Sequence, residues 1–417
     1  MSDWHAGGLQ ELLDGACRQY AVPGAQVGLL HGADRIVVCS GVRSVERADP
    51  VTPEIGFHAG SLAKSLVGLV VLDAARRGDL DLDLPCDQQA AGTWPDTPRA
   101  ILSQVTGRPN LLPEADEELE PFVARVAELP LVHPPGRFSY CNAGWPALDL
   151  LLRRRLKHSF EELAEERILG AAARFGTPAV RAHGHGVDDD YVPRLLAEHE
   201  FAPSAAAAGS RWWATADGLL DLAGLHLGDG QGRFAGADVR DLHHPYAEIP
   251  GATMADAWGL GWAVWDRGAH RAYGWAGMTS GHRAYLRCFP DQQAAIVVLA
   301  NSAGPLFGPP GGSALFDALL PDLLEAVGVP ALPYPDFRDT PRPAAELAGS
   351  YGPVTLTALS PDAVNLDAAA LGLASPMLYV RWGGNTFIGQ ENLPGGMSVA
   401  VNDELLYVGP FAMPRTG

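Results

Sequence analysis

Lysine is nearly absent from this sequence, because only Lys64 and Lys157 are lysine among its 30 basic residues and all the others are arginine. The basic residues are outnumbered by 49 acidic ones, and the formal net charge is -19. So acidic a chain repels phosphate backbones, and no Lys/Arg-rich stripe offsets the repulsion, so we expect no nucleic-acid partner. A lysine retained where arginine is the rule suggests a role that arginine cannot fill.

Cysteines and long apolar runs are also scarce. The five cysteines are scattered and include no CxxC pair, which predicts reduced thiols and neither a disulfide framework nor a structural zinc site. No run of about 18 apolar residues occurs, and the N-terminus has neither the basic region nor the apolar core of a secretory signal. We therefore expect a cytoplasmic protein with no membrane partner.

The sequence patterns predict an α/β fold with a large core, since 47% of the residues are hydrophobic. Residues 9–17 have helical spacing, and apolar segments on both sides of residues 32–34 predict a hairpin. Residues 61–77 are apolar almost all round, which predicts a buried helix closed by Gly78. Strand patterns return later in the chain, at residues 259–265, 282–288 and 294–299.

The same patterns predict three segments. Residues 1–330 form one unit, in which a helix-rich insert of about residues 80–235 separates two sets of strands. A Pro-rich linker follows at residues 331–343. Residues 344–417 alternate apolar and polar residues between Gly, Asn and Asp turns, which predicts a small separate antiparallel β domain, short for a full barrel.

Ser61 and Lys64 are the first candidates for chemistry. Their i, i+3 spacing places the hydroxyl and the amine on one face of the predicted helix. A lysine whose pKa is lowered by burial can take the serine proton, and the amides at the helix N-terminus favour developing negative charge. Arginine cannot be deprotonated in this way. SxxK alone is common by chance, so the flanking segments decide its meaning.

Two further segments carry candidate groups. A tyrosine such as Tyr140, with a lowered pKa, can shuttle a proton, and Asn142 can orient a lysine or hold a substrate carbonyl. The alternative is a buried tyrosine and a turn asparagine. In the third segment, Gly277 lets a substrate backbone approach, and the amide of Met278 could complete an oxyanion hole with that of Ser61.

Taken together and in this order, these segments resemble the serine β-lactamase and penicillin-binding-protein-like family, in particular its class C β-lactamase and esterase or transacylase branch. The similarity extends over roughly residues 8–330. The matching stretches are residues 57–64, 101–109, 135–144, 215–219, 274–281, 289–291 and 297–301. The C-terminal segment is similar to the small lipocalin-like domain that some members carry.

The resemblance implies a β-lactamase-like α/β sandwich, an antiparallel sheet flanked by helices, with an all-helical subdomain. It implies that Ser61 is the acylated nucleophile, Lys64 its base partner and Tyr140 the proton relay to the leaving group. Asn142 would position Lys64 or the substrate amide, and the backbone amides of Ser61 and Met278 would form the oxyanion hole. It implies no cofactor and no metal, and the spacing around His183-Gly184-His185 does not fit a metallo-β-lactamase motif.

The third motif departs from the family pattern. Trp275 stands where β-lactamases carry the lysine of Lys-Thr-Gly, so the cation that would hold a β-lactam carboxylate is missing. Some esterases of the family carry Trp-x-Gly there. His282 and Arg283 lie close by in sequence and could supply charge. Trp212 and Trp213 are expected to wall an apolar acceptor pocket together with Trp275, or else to be core aromatics.

The sequence therefore predicts a serine acyl-enzyme catalyst that acts on an ester, thioester or amide. It would hydrolyse this small-molecule substrate as an esterase or amidase, or transfer the acyl group to an amine or alcohol as a transacylase in a biosynthetic pathway. The alternatives are a β-lactamase or D-amino-acid peptidase, and a non-catalytic binding protein on the same scaffold. The sequence leaves the oligomeric state open.

Overall fold

The computed structural model describes residues 6–92, 94–169, 174–188, 190–197, 201–228, 236–304, 311–337, 339–371, 376–389 and 398–416. Across these ranges no helix has both the length and the apolar character needed to span a membrane. The α-helices are α1 (Ala6–Gln19), α2 (Ala63–Arg76), α3 (Cys86–Gln89), α4 (Pro98–Leu102), α5 (Leu119–Ala127), α6 (Gly144–Leu156), α7 (Phe160–Leu163), α8 (Ala216–Leu227), α9 (Gly236–Leu242), α10 (Gly312–Ala326) and α11 (Ala344–Leu347).

The strands of the described residues form four sheets. In chain order they are β1 (Gly24–His31), β2 (Asp34–Ser44), β3 (Arg47–Pro50), β4 (Phe57–His58), β5 (Arg174–Phe175), β6 (His185–Val187), β7 (Pro193–Leu195), β8 (Trp212–Ala214), β9 (Ala247–Glu248), β10 (Ala257–Trp258), β11 (Ala263–Arg267), β12 (His270–Thr279), β13 (His282–Phe289), β14 (Ala294–Ala300), β15 (Ser302–Ala303), β16 (Gly349–Tyr351), β17 (Val354–Ser360), β18 (Ala363–Asp367), β19 (Met377–Gly383), β20 (Thr386–Gly389), β21 (Ser398–Asn402), β22 (Leu405–Val408) and β23 (Phe411–Pro414).

The largest sheet is antiparallel and has the order β3-β2-β1-β14-β13-β12-β11-β10-β9. The predicted hairpin is its β1–β2 pair, with Val27 opposite Val38. All seven residues of β14 are buried, because α1 and α10 cover one face of the sheet and α8 covers the other. The expected α/β sandwich of an antiparallel sheet flanked by helices is confirmed.

Helix α2 lies in the centre of the molecule. Twelve of its fourteen residues are buried, as its all-round apolar pattern predicts, and the chain leaves it through Gly78 at a φ of +78°. The mainly helical stretch α3–α8 packs around it, and a short 3-10 turn over Gly60–Leu62 precedes it. The helix therefore presents its N-terminus at the boundary between the sheet and the helical region.

The C-terminal strands β16–β23 form an eight-stranded sheet in sequence order, with its own apolar core. Its ends meet where Tyr351 bridges to Arg415 and the Thr416 amide donates to the Ser350 carbonyl at 2.8 Å, so the sheet is barrel-like. The expected antiparallel β domain is confirmed. It is less separate than the sequence predicts, because the amide of Tyr140 donates to the Pro410 carbonyl at 2.9 Å.

One predicted strand is wrong in part. Residues 259–265 were expected to be extended, but β11 begins only at Ala263 and a turn precedes it. Gly261 has a φ of +88°, and a Cβ there would lie 2.5 Å from the carbonyl oxygen of Lys64. The amide of Gly261 donates to the Leu102 carbonyl at 3.0 Å. This turn therefore holds the backbone of α2 against α4, which the period-2 pattern does not reveal.

We expect Gly261→Ala to destabilise the protein more than Gly268→Ala. Both glycines have positive φ, so both changes carry the backbone strain of about 1 kcal/mol. Only at Gly261 does the new methyl group also collide with backbone, since nothing lies within 4 Å at Gly268. Thermal melts should show a lower Tm for Gly261→Ala by several degrees, and equal melting temperatures for the two variants would contradict the packing described for this turn.

Candidate active site

A cavity of about 730 Å³ opens where the sheet, the helical region and the C-terminal domain meet. Six of the seven predicted site residues line it directly, namely Ser61, Tyr140, Asn142, Trp275, Gly277 and Met278. Lys64 lies immediately behind Ser61 and has no exposed surface. The structure thus brings together groups from three distant parts of the chain.

Glycines allow three chain segments to converge on Ser61. Gly60 has a φ of +53°, and a Cβ on it would lie 2.8 Å from the amide nitrogen of Met278. A Cβ on Gly277 would lie 1.8 Å from the Ala59 carbonyl oxygen, and one on Gly209 would lie 2.9 Å from the Ser61 amide nitrogen. Backbone therefore packs directly on backbone around the nucleophile, with the Met278 amide close to the turn that carries Ser61.

The Lys64 amine has three neighbours within hydrogen-bonding distance. Its Nζ lies 2.8 Å from Asn142 Oδ1, 2.8 Å from the Ala208 carbonyl oxygen and 3.2 Å from Ser61 Oγ. The first two groups only accept, so a neutral amine uses its two hydrogens on them. Its lone pair is then directed at the Ser61 hydroxyl. This arrangement can accept the serine proton without moving any heavy atom.

Burial also prepares Lys64 for this proton. Desolvation lowers the pKa of Lys64 from its usual value near 10.5 to about 7. No carboxylate opposes the shift within the hydrogen-bonding shell of the amine, which contains a hydroxyl, an amide oxygen and a carbonyl. In a large fraction of the protein molecules, Lys64 is therefore in its neutral, basic form at neutral pH.

The orientation of Asn142 is fixed by a second asparagine. Asn110 Oδ1 accepts from the backbone amide of Asn142 at 2.8 Å and from its Nδ2 at 3.0 Å. Because Asn142 Nδ2 donates there, its Oδ1 must face Lys64. Asn110 is a positioning residue that the sequence analysis did not identify, although it directly follows the family-like stretch 101–109.

Tyr140 is buried, and its ring stacks on Trp275 with centroids 5.4 Å apart. The expectation of a lowered pKa is wrong, because burial raises the pKa of the phenol to about 12 and the nearby Ser61 hydroxyl offsets this only in part. Tyr140 is therefore neutral at physiological pH. It can donate its hydroxyl proton to a leaving group while it accepts another, but it cannot serve as a standing phenolate base.

The segment around Tyr140 is held by Gln104, which has a φ of +62°. Its carbonyl accepts from the Ser139 amide at 2.9 Å, and its Oε1 accepts from the Cys141 amide at 2.8 Å. Tyr140 lies between these two anchored residues. The family-like stretch 101–109 thus positions the segment that carries Tyr140.

None of Trp212, Trp213, His282 and Arg283 lines the cavity. The two tryptophans are therefore the core aromatics of the alternative interpretation, and His282 and Arg283 supply no charge to the cavity. Trp212 is fully buried in the core, and Trp213 packs against His58 and His282 behind the nucleophile turn. Arg283 donates to Ser313, to the His282 carbonyl and to the Gly304 carbonyl. Arg283 is on the same face of β13 as the cavity-lining Tyr285 and Arg287, but these three acceptors already satisfy its guanidinium.

Two groups near the nucleophile were missed by the sequence analysis. The Ala208 carbonyl is a backbone acceptor, which leaves no trace in the sequence. His58 Nδ1 accepts from the Gly60 amide at 3.2 Å while its Nε2 lies 2.9 Å from the Ser210 carbonyl, which assigns the proton to Nε2. His58 could have been found from its place in the family-like stretch 57–64. Among the residues that the structure describes, no group of three or more His, Cys, Asp or Glu could hold a metal ion.

Comparison with known proteins agrees with this geometry. The family model described as Beta-lactamase matches residues 9–318, which is well over half of the chain. The chain belongs to the beta-lactamase family. It is accordingly an enzyme of the serine-hydrolase class.

Relatives of this beta-lactamase-family chain resemble it over most of its length. It is 27% identical over 385 residues to penicillin-binding protein 4 of Amycolatopsis lactamdurans, an alignment that covers 82% of this chain and 96% of that protein. SurE, of which a crystal structure is known, is 26% identical in sequence to this chain. The two structures superpose with a TM-score of 0.77, and the match covers 99% of both chains. An octameric penicillin-binding protein homologue from Pyrococcus abyssi shares the fold at 18% identity and a TM-score of 0.67, covering 98% of this chain and 100% of that one.

We expect Lys64→Arg to lose at least about 100-fold in kcat, because arginine keeps the charge but cannot accept the serine proton. The loss should approach that of Ser61→Ala. Lys157→Arg is the matched control, since the second lysine is exposed and donates only to the Arg154 carbonyl. Ester turnover checks the expectation, and a Lys64→Arg variant that keeps more than about a tenth of the rate, a barrier change of only ~1.4 kcal/mol, would exclude the base role.

We expect kcat/KM to rise with pH through a single ionisation near 7. The pKa of Lys64 is lowered to about 7, so the amine is protonated and inactive below that pH and basic above it. Asn110→Asp should move the midpoint upward, because a nearby carboxylate stabilises the ammonium form, whereas Asn110→Ala should not. A profile that is flat between about pH 5.5 and 9 would contradict the assignment.

Proposed function

We propose that this chain forms an acyl-enzyme at Ser61 on a peptide-like ester, thioester or amide and passes the acyl group to an amine or alcohol acceptor, with water as the competing acceptor. The observation that carries the proposal is the position of the Lys64 amine, whose Nζ lies within hydrogen-bonding distance of Asn142 Oδ1, the Ala208 carbonyl oxygen and Ser61 Oγ.

The steps follow from the positions of these groups. The Ser61 proton moves to Lys64 Nζ as Oγ attacks the carbonyl carbon, and the oxyanion meets the amides of Ser61 and Met278. Tyr140 is neutral and lies next to Ser61. It supplies the proton that the leaving group needs, and it receives in turn the proton that Lys64 Nζ took from Ser61. In the second half-reaction the acceptor attacks, the C–Oγ bond breaks, and the acceptor proton returns to Ser61 Oγ along the same groups in reverse.

The walls of the cavity favour transfer to an organic acceptor. Trp275, Phe411, Met254 and Trp265 are apolar surfaces that compete with bulk water for the acyl-enzyme. Phe411 comes from the C-terminal domain, and its ring lies edge-on to Tyr140 at 6.0 Å. The C-terminal domain would therefore contribute directly to the choice of acceptor.

The nature of the acyl group is suggested by a relative. A structure of SurE with D-Leu is 25% identical to this chain, with a TM-score of 0.77, and the match covers 99% of both chains. We propose that the acyl donor of this chain has a D-configured residue at the reacting carbonyl. Because Trp275 occupies the position of the third-motif cation, the carboxylate of a β-lactam would lose a charge-assisted hydrogen bond of roughly 1.5–3 kcal/mol.

Activated esters of matched N-acyl-D-leucine and N-acyl-L-leucine test this proposal. We expect the D ester to acylate Ser61 at least about tenfold faster, a barrier difference of ~1.4 kcal/mol, with the adduct seen as a mass increase on the intact protein. Ser61→Ala is the control and should show no adduct. An equal rate for both esters would contradict the stereochemical part, and no Ser61 adduct with either would contradict the acyl-enzyme itself.

A further inference from the structure

The cavity has a second end that the chemistry described so far does not use. Beyond Trp275 it continues to Trp265 on β11, Tyr285 and Arg287 on β13, and Phe316 and Asp317 on α10. Phe316 stacks on Tyr285 with ring centroids 4.0 Å apart. This second end is therefore an apolar chamber that holds one positive and one negative side chain.

Neither charge has a polar partner in the described part of the chain. Arg287 lies with its guanidinium carbon 4.0 Å from the Trp265 ring and 5.7 Å from that of Phe316, and it makes no hydrogen bond or ion pair there. Arg283, on the same face of β13, is by contrast satisfied by three acceptors. Asp317 is likewise without a hydrogen bond or a close ion pair among the described residues, and the charges of Asp317 and Arg287 act on each other only at longer range.

Both side chains are only half-buried, so their polar atoms are open to a ligand in the cavity. Burial lowers the pKa of Arg287 to about 10 and raises that of Asp317 to about 6, so both groups are charged at pH 8. The guanidinium keeps its hydrogen-bond donors, because a ring face satisfies none of them fully. The chamber thus offers a strong donor and a strong acceptor to whatever enters it.

The chamber and the nucleophile lie on the two sides of the β12 edge, because Arg287 pairs with Gly274 and so faces the other side of the sheet from Trp275, which pairs with Leu286. Tyr140, which exchanges protons with the leaving group and acceptor, stacks on Trp275, and the wall runs from there through Phe411, Met254 and Trp265 to Arg287. Residues 275–279 of β12 pair only with β13, since β11 ends its pairing at Gly274.

Arg287 lies opposite Gly274, and four residues of strand, about 13 Å, separate Gly274 from Met278. A group bound at Arg287 therefore lies within a few residues of the acyl carbonyl.

We propose that Arg287 and Asp317 form an acceptor subsite that binds a carboxamide or peptide group, whose carbonyl accepts from Arg287 and whose N–H donates to Asp317. The proposal rests on the proposed acyl transfer. In that step the acceptor nitrogen forms a bond to the acyl carbon, the bond from that carbon to Ser61 Oγ breaks, and the amine proton passes to Oγ. An acceptor with a free carboxylate suits Arg287 but is repelled by Asp317, so the pair selects amides over acids.

The test is a product-partition assay at pH 8 with one activated N-acyl-D-leucine ester and either leucinamide or leucine as acceptor. The quantity compared between proteins is the ratio of transfer to leucinamide over transfer to leucine, because the different basicity of the two amines cancels in that comparison. The subsite predicts opposite changes in two variants. Asp317→Asn removes the repulsion between Asp317 and the carboxylate of leucine, so transfer to leucine should gain and the ratio should fall at least fivefold. Arg287→Met removes a positive charge that binds the carboxylate of leucine more strongly than the amide of leucinamide. Transfer to both acceptors should therefore fall, and the ratio should rise because transfer to leucine falls more.

Arg271→Met is the matched control, since Arg271 lies on the same sheet but is exposed and paired with Asp291. The Arg271→Met variant should give the same ratio as the wild type. Thermal melts identify a variant that fails to fold, and Arg287→Gln, which also removes the charge, then replaces Arg287→Met. Ratios that stay within twofold of the wild type, or that move in the same direction in both variants, overturn the subsite. Wild-type protein without any Ser61-dependent ester turnover overturns the proposed function instead, because that step needs no acceptor.

Discussion

The site depends on one interaction, the hydrogen bonding of a fully buried amine. Lys64 is enclosed by Asn142, Ala208 and Ser61, and none of these supplies a negative charge that would keep the amine protonated. Burial disfavours the ammonium form and the two acceptors direct the lone pair at the serine. Lysine is needed because arginine stays protonated, which explains why a chain that otherwise uses arginine keeps a lysine here.

Much of the fold exists to maintain that enclosure. Gly261 brings a turn against the backbone of Lys64, and Gly209 and Gly277 bring two other segments against the turn that carries Ser61. Gln104 anchors the residues on both sides of Tyr140, and the C-terminal domain adds a further bond to its amide through Pro410. Apart from the Gln104 side chain, these contacts are between backbones, so they fix the positions of the reacting groups more firmly than side-chain packing alone would.

The sequence predicts those parts of the site that follow from local periodicity. The buried α2 helix and the meeting of Ser61 with Lys64 at i, i+3 are of this kind, and the alternation of residues 344–417 predicts the antiparallel C-terminal strands. The placement of Tyr140 and Asn142 beside Lys64 came from the family resemblance, because nothing local links positions nearly eighty residues apart. The Ala208 carbonyl, the entry of Phe411 into the cavity and the chamber around Arg287 depend on tertiary contacts that no pattern encodes. The sequence left Trp212 and Trp213 open between pocket wall and core, because composition does not tell a core aromatic from a pocket aromatic, and both are buried.

The protonation state of Lys64 tests this account most directly, and the chain is well suited to its measurement because it contains only two lysines. Protein labelled with carbon-13 at the lysine ε position gives two signals, and a Lys64→Met variant assigns them. We predict that the Lys64 signal titrates with a midpoint near pH 7, in keeping with a pKa lowered by burial to about 7. A Lys64 signal that stays in its protonated position up to about pH 9.5, near the ordinary range of lysine, would contradict the base role on which the rest depends.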